Sequence, residues 1–177
     1  MSKRVLLTVA LMSSVAHAAP RVLTGLVVER GSNFQSLANE RIQIRYDGAV
    51  LYERGRPITR KDPKHGTVTV GACDRYTWRL TPKEVEALRI VVDKADVASL
   101  RLDYRREGVH DGSQAALLAS YTDLVVVSRF DNELPPPYAA VSQYLSVTLL
   151  KDAEKKGKKG RCDTASWLFL SPPGDQP

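Results

Sequence analysis

The sequence predicts a single α+β domain, with an antiparallel sheet of about five strands and two helices packed on one face. Three stretches carry this prediction: an alternating pattern with a turn at residues 41–53, a capped amphipathic helix that begins after Thr81, and an apolar run at residues 124–130. Strands joined by turns, with helices on one side, are typical of this fold class. The 177 residues are ample for one such domain with its own core.

Residues 41–53 predict a β-hairpin. Apolar and polar residues alternate from Ile42 to Tyr46, the period-2 pattern of a half-buried strand. Asp47 and Gly48 tolerate the positive φ angles that a tight type I′ turn requires. The return strand, residues 49–53, carries side chains suited to a pleated surface.

Further strands are predicted on both sides of this hairpin. Residues 21–30 predict a first strand in which Gly25 forms a bulge. Residues 54–66 hold two glycines and two prolines among charged residues, which predicts a long exposed loop. Two short strands follow, at residues 67–70 and 75–80.

The run Thr81-Pro82-Lys83-Glu84 predicts the start of a helix. Thr81 is a capping residue, Pro82 suits the first helical position, and Glu84 completes a capping box. One apolar face then recurs at helical spacing, and the helix is expected to end near Ala95. The residues of this face are Val85, Leu88, Val92 and Ala95.

The second half of the chain predicts one strand and one helix. Residues 103–115 are rich in glycine and arginine and predict a loop, whereas residues 124–130 predict a central, apolar strand. Residues 138–152 predict a helix after three prolines, although their β-branched members leave a strand possible. The apolar face of this helix comprises Tyr138, Val141, Leu145 and Leu149.

The N-terminus has the layout of a secretory signal peptide. Lys3 and Arg4 precede an apolar run, and Ala16-His17-Ala18 is a small-x-small cleavage site. The alternative is a membrane anchor, but the uncharged stretch falls short of the roughly 20 residues that a spanning helix needs. We therefore expect cleavage near Ala18, a secreted or periplasmic location, and no transmembrane segment after cleavage.

The expected organisation follows from these patterns. Residues 1–18 are the signal peptide, 19–153 the domain, 154–161 a basic flexible linker, 162–170 a strand that returns to the domain, and 171–177 a disordered tail.

The net charge of +6 is concentrated in two short segments, residues 54–65 and 151–161. Because the rest of the chain is not basic, a nucleic-acid footprint across the whole domain is not expected. Clustered cations favour retention near anionic envelope polymers or lipids, although solvated surface charge is the alternative. The candidate residues for such a surface are Arg54, Arg56, Arg60, Lys61 and Lys64.

The two cysteines, Cys73 and Cys162, predict a disulfide bond, because an exported chain meets an oxidising compartment. The alternative is a metal site formed by Cys73, His65, His110 and a carboxylate. Metal sites usually show short paired ligand spacings, and no such spacing occurs in the sequence. No metal or cofactor is therefore expected.

The order of elements resembles a family of secreted bacterial domains of unknown function. In that family a strand, a DG turn and a tyrosine-containing return strand precede a capped helix, an "AD" segment, an apolar strand and a Pro-initiated helix. The resemblance covers about residues 23–153 and implies fold and location, but no activity. Residues 31–36 lack the cysteines of the family's loop. The matching residues are Ile42–Tyr46, Asp47-Gly48, Val50–Glu53, Thr81-Pro82, Ala95-Asp96, Leu124–Val127 and Pro137 onward.

One segment has a superficially catalytic composition. His110, Asp111 and Ser113 lie close together, as in a hydrolase. A catalytic triad is spatial rather than sequential, however, and no G-x-S-x-G motif is present. Asp-Gly-Ser is also common in turns. The sequence thus favours an exported, non-catalytic module that binds a protein or an envelope component, with a hydrolase that uses His110, Asp111 and Ser113 as the alternative.

Overall fold

A computed structural model describes residues 21–32, 39–64, 66–106, 108 and 113–162. The strands are β1 (Leu23–Ser32), β2 (Glu40–Arg45), β3 (Ala49–Asp62), β4 (Gly66–Arg79), β5 (Asp103–Arg105), β6 (Ser113–Tyr121), β7 (Val125–Asp131) and β8 (Lys158–Arg161). The helices are α1 (Pro82–Lys94), α2 (Pro136–Tyr144) and α3 (Ala153–Lys156), with a 3₁₀ turn at Val97–Ser99 and a π-helical turn at Leu145–Leu149.

The strands form one eight-stranded mixed sheet in the order β5-β7-β6-β1-β2-β3-β4-β8. Neighbouring strands are antiparallel except β5 and β7, which are parallel. The predicted α+β fold with about five antiparallel strands is therefore wrong, and the protein is mostly β. The predicted central strand at residues 124–130 corresponds to β7, which lies one strand from the sheet edge.

Strands β5 and β6 overlap the two ends of the predicted 103–115 loop, and most of β6 lies beyond that loop, at residues 116–121, where no strand was predicted. Strand β6 has an unusual composition. Its middle, Ala115 to Ala119, consists of alanine and leucine, which favour helices when they are isolated. Hydrogen bonding to β1 on one side and β7 on the other overrides that preference. The predicted flexible linker at residues 154–161 is likewise ordered, as the end of α3 and strand β8.

The β2–β3 hairpin is confirmed, with a different turn. The N–H of Gly48 donates to the carbonyl of Arg45 at 2.9 Å, and Gly48 has φ +80°. Asp47 does not have positive φ, and its carboxylate accepts from the N–H of Ala49 at 3.1 Å. The connection is thus a three-residue turn that ends in left-handed glycine, rather than the predicted two-residue type I′ turn.

Helix α1 begins as predicted. Glu84 donates its N–H to the Thr81 hydroxyl at 3.3 Å, and its carboxylate accepts from the N–H of Thr81 at 2.8 Å. Leu88 and Val92 are buried, so the apolar face packs on the core. Of the second predicted helix, the first part is α2, and the chain continues through the π-helical turn. All four residues of its predicted apolar face are buried: Tyr138, Val141, Leu145 and Leu149.

The apolar core lies between one face of the sheet and the helices. Alternate residues of the central strands, such as Leu26 and Ile44, point to this side and are buried. Phe130 of β7 packs against Tyr138 of α2, with ring centroids 4.5 Å apart. Large side chains from strands and helices therefore interdigitate, which fixes α2 on the sheet.

The other face of the sheet carries a row of alternating charges. Glu29, Arg41, Glu53 and Arg75 are neighbours across β1, β2, β3 and β4. Arg41 lies 3.2 Å from Glu29, and Arg75 lies 2.7 Å from Glu53. The two carboxylate side chains are 0% and 1% exposed. A one-residue slip of any strand would move a charge into the apolar core, so this row fixes the register of the sheet.

Candidate binding arm

The predicted basic loop is a two-stranded ribbon. The pairing of β3 with β4 runs from Ala49↔Arg79 to Asp62↔Gly66. Strand β2 reaches only Arg54 of β3, and β8 reaches only Asp74 of β4. We call residues 56–72 the basic arm. Its seven register pairs span about 23 Å at the usual rise per strand residue, so it extends well past the sheet.

Proline and glycine account for the incorrect loop prediction in this segment. The N–H of Gly55 donates to Asn39, on the β2 side of β3. Because alternate residues of a strand bond to the same neighbour, Pro57 also faces that side, beyond the end of β2. Its missing N–H therefore costs no bond to β4, and the strand continues through it.

The tip of the arm is a tight polar turn. The N–H of Lys64 donates to the Asp62 carboxylate at 2.8 Å, and Gly66 follows with φ +72°. Lys61, Pro63 and Lys64 are exposed, so the tip presents accessible positive charge. The arm as a whole holds four basic residues against Asp62 as its one acidic residue: Arg56, Arg60, Lys61 and Lys64.

Arg54, the fifth predicted residue of the basic surface, has a different role. It lies before the arm and forms an ion pair with Glu154 of α3. Partial burial is the largest single effect on the pKa of Arg54 and lowers it, but the hydrogen bond to the Glu154 carboxylate and the electrostatic effects of Tyr52, Glu154 and Tyr76 together outweigh burial, so the pKa is raised. This pair ties α3 to the sheet, so Arg54 is not part of the arm's surface.

Residues of the second basic segment, 151–161, also form ion pairs. Three of its lysines lie within salt-bridge distance of acidic residues, at 3.3 to 3.6 Å. Two of these pairs join the segment to α1 and β4, so half of the six basic residues of the segment take part in intramolecular ion pairs. The pairs are Lys155–Asp152, Lys156–Glu84 and Lys159–Asp74.

The predicted disulfide between Cys73 and Cys162 is confirmed, at the base of the arm. It extends the β4–β8 register by one pair beyond Asp74↔Arg161. The Cα atoms are 5.5 Å apart, the usual separation of directly opposed, hydrogen-bonded residues. The bond therefore fixes β8 beside β4 where the arm leaves the sheet.

A small cleft with both polar and apolar side chains lies between the sheet and the π-helical turn. Its empty volume, which includes space open to solvent, is about 250 Å³. The carboxylate of Glu40 accepts from Arg30 and, at 2.7 Å, from the Tyr52 hydroxyl. Burial, followed by this hydrogen bond, raises the pKa of Tyr52, which therefore stays protonated at neutral pH.

The groups in this cleft are engaged with one another rather than arranged for catalysis. Arg30 donates to the Ser146 hydroxyl at 3.1 Å, and that hydroxyl donates to the Ser142 carbonyl at 2.9 Å. No side chain that lines this cleft combines a nucleophile with an adjacent free base. The network instead holds the π-helical turn against β1 and β2.

The other predicted features lie largely outside the described residues. This holds for the signal peptide, for His65, His110 and Asp111, and for residues 163–177. Ser113 is described only as the first residue of β6, so the hydrolase arrangement stays a prediction. In the part of the chain that the structure describes, no cluster of His, Cys, Asp or Glu suits a metal ion, and no helix could cross a membrane.

No protein-family model matches this chain. A search of curated proteins also finds no match. The resemblance to secreted bacterial domains therefore stays a prediction, and the functional argument rests on the arm.

Proposed function

We propose that this protein is an exported, non-catalytic module that binds a protein or an anionic component of the cell envelope through the basic arm. One observation carries the proposal: a ribbon whose sequence holds four basic residues, and whose tip is exposed, extends past the neighbouring strands β2 and β8. A two-stranded ribbon is only marginally stable alone in water. Contact with a ligand along the arm would offset that weakness.

The sequence and the disulfide support the extracytoplasmic part of the proposal. The N-terminus has the three-part layout of a signal peptide, and Cys73 and Cys162 form the kind of bond that persists in oxidising compartments. Anionic polymers and lipids are abundant on envelope surfaces, and each Lys or Arg near an anionic surface contributes about 1 kcal/mol.

The test compares two variants that lose the same charge. The arm variant carries Arg56→Gln, Arg60→Gln, Lys61→Gln and Lys64→Gln. The control removes four exposed lysines elsewhere, through Lys83→Gln, Lys94→Gln, Lys151→Gln and Lys158→Gln. Retention of each purified mature protein on isolated envelope fractions is measured across a series of salt concentrations.

We expect the arm variant to be retained at least tenfold more weakly than wild type, with a flatter salt dependence. The control variant should lose much less, because its charges are spread over the domain. Equal losses in the two variants would show that net charge alone governs retention, and an unchanged arm variant would remove the arm from the function.

A further inference from the structure

A shallow apolar groove lies between helix α1 and the ends of β1 and β2 near the hairpin turn. Its floor is formed by buried aliphatic side chains from the sheet and the helix, namely Leu26, Ile44 and Leu88. At its rim, Tyr46 is 64% exposed. The empty volume, which includes space open to solvent, is about 240 Å³. This is just below the size of ordinary ligand pockets, so the groove suits a small molecule.

Arg89 of α1 lines this groove and has a buried polar atom without a partner. Its Nε–H is buried and makes no hydrogen bond within the part of the chain that the structure describes. Glu86 contacts a different nitrogen of the guanidinium group, with 3.7 Å between the Glu86 carboxylate and Nη1. Buried donors are nearly always hydrogen-bonded in folded proteins, so the unpaired Nε–H indicates a partner from outside the chain.

A carboxylate suits this donor better than a water molecule does. A buried water is held by about three hydrogen bonds, whereas the residues around Arg89 in the groove are mainly aliphatic. Nε and the adjacent Nη of an arginine bind the two oxygens of a carboxylate through parallel, charge-assisted hydrogen bonds. Arg45 also lines the groove, and none of the described residues that line it is acidic. The groove therefore combines apolar walls with positive charge.

We infer that this groove binds a small carboxylate with an apolar body, such as a short fatty acid. The carboxylate accepts from the Nε–H of Arg89, and the apolar body lies on Leu26, Ile44 and Leu88. A free acid fits better than the carboxyl end of a peptide, because β1 and β2 are paired with strands on both sides and offer no backbone groups to a peptide. The groove lies at the opposite end of β3 from the basic arm, so this site is independent of the proposed function.

The first test uses hexanoate and two analogues that each lack half of its chemistry. Hexanol has the apolar chain without the charge, and acetate has the carboxylate without the chain. Each compound is titrated into the isotope-labelled protein, and NMR follows the Nε–H of Arg89 and the backbone N–H groups of Leu26, Ile44 and Leu88.

We expect hexanoate to shift these signals and to bind at least tenfold more tightly than either analogue. Equally tight binding of hexanol would show that Arg89 is not the anchor, and equally tight binding of acetate would show that the apolar floor contributes nothing. Either result would overturn the inference. Absence of any shift in wild type would overturn it as well, and would leave the proposed function of the arm untouched.

The second test removes the paired hydrogen bonds but keeps the charge. Arg89→Lys should bind hexanoate about tenfold more weakly than wild type, because an ammonium group lacks the planar fork of arginine. The control Arg106→Gln removes an exposed arginine beside β5 and should bind hexanoate as wild type does. Unchanged binding by Arg89→Lys would remove Arg89 from the site. A short peptide that ends in leucine is tested in parallel, and tighter binding of this peptide than of hexanoate would overturn the choice of a free acid.

Discussion

Removal of the Cys73–Cys162 disulfide should cost about 4–5 kcal/mol of stability. The bond joins residues 89 positions apart, and the entropy of closing a loop of that length in the unfolded chain gives this value. Domains of this size are typically stable by about 5–15 kcal/mol, so the reduced protein should be close to its unfolding threshold.

This loss of stability should arise mainly because the unfolded chain gains conformational freedom when the bond is removed. Cys73 and Cys162 lie in register on paired strands, so removing the bond leaves the β4–β8 pairing intact. Urea unfolding of wild type and of the double variant Cys73→Ser, Cys162→Ser measures the difference. The variant should also show a larger dependence of unfolding free energy on urea, because its unfolded chain exposes more surface.

Wild type in the presence of a reductant is the matched control and should unfold at nearly the same urea concentration as the double variant. A difference below about 1 kcal/mol between oxidised wild type and the variant would refute the loop-entropy reasoning. Loss of the β8 contacts in the variant, seen as faster hydrogen exchange of the backbone N–H groups of Lys158–Arg161, would instead show that the bond is needed for the fold itself.

Two further predictions concern a turn and a helix cap. Gly48→Ala should lower the free energy of unfolding, measured by thermal unfolding, by about 2–3 kcal/mol, because the residue has φ +80° and its new Cβ would lie 2.9 Å from the Leu80 carbonyl oxygen. The control Gly66→Ala should cost only about 1 kcal/mol, because this residue has φ +72° but no atom lies within 4 Å of its new Cβ. Equal losses in the two variants would contradict the steric argument. The N–H of Thr81 donates to the Glu84 carboxylate and holds the pKa of Glu84 below its ordinary value of 4.5. The cap therefore stabilises the protein fully above about pH 4.5, and this stabilisation is lost as the pH falls through the lowered pKa. Between neutral pH and about pH 3, the urea midpoint of Glu84→Gln should therefore fall less than that of wild type. Equal falls in the two proteins would contradict this prediction.

Features set by local chemistry were predictable from the sequence. The capping box at Thr81 and the glycine turn at Gly48 each depend on a few adjacent residues, and the structure has both. The disulfide was predictable because the sequence has two cysteines, which leave one pairing. The predicted turn type was wrong because Asp-Gly is common in both two-residue and three-residue hairpin loops.

Features set by distant partners were not predictable. Strand β6 is built from helix-favouring residues and exists because β1 and β7 bond to it. The basic arm was predicted as a loop because proline usually interrupts a strand. Pro57 fits the strand here because the side of its missing N–H faces no neighbouring strand, which only the sheet order reveals. The sequence did hold one indication of the strands of the arm, since β-branched residues, which favour strands, occur at Ile58–Thr59 and Thr67–Val70.

The two outermost strands of the sheet are also its shortest. Strand β5 has three residues and β8 has four, and both carry charged side chains along their length. A straight, uncharged outer strand would offer its unpaired N–H and C=O groups to another sheet, whereas short charged strands offer little to pair with. The two outer edges of the sheet are thereby protected against edge-to-edge pairing, whereas the basic arm leaves further strand edges where β3 continues past β2 and β4 continues past β8.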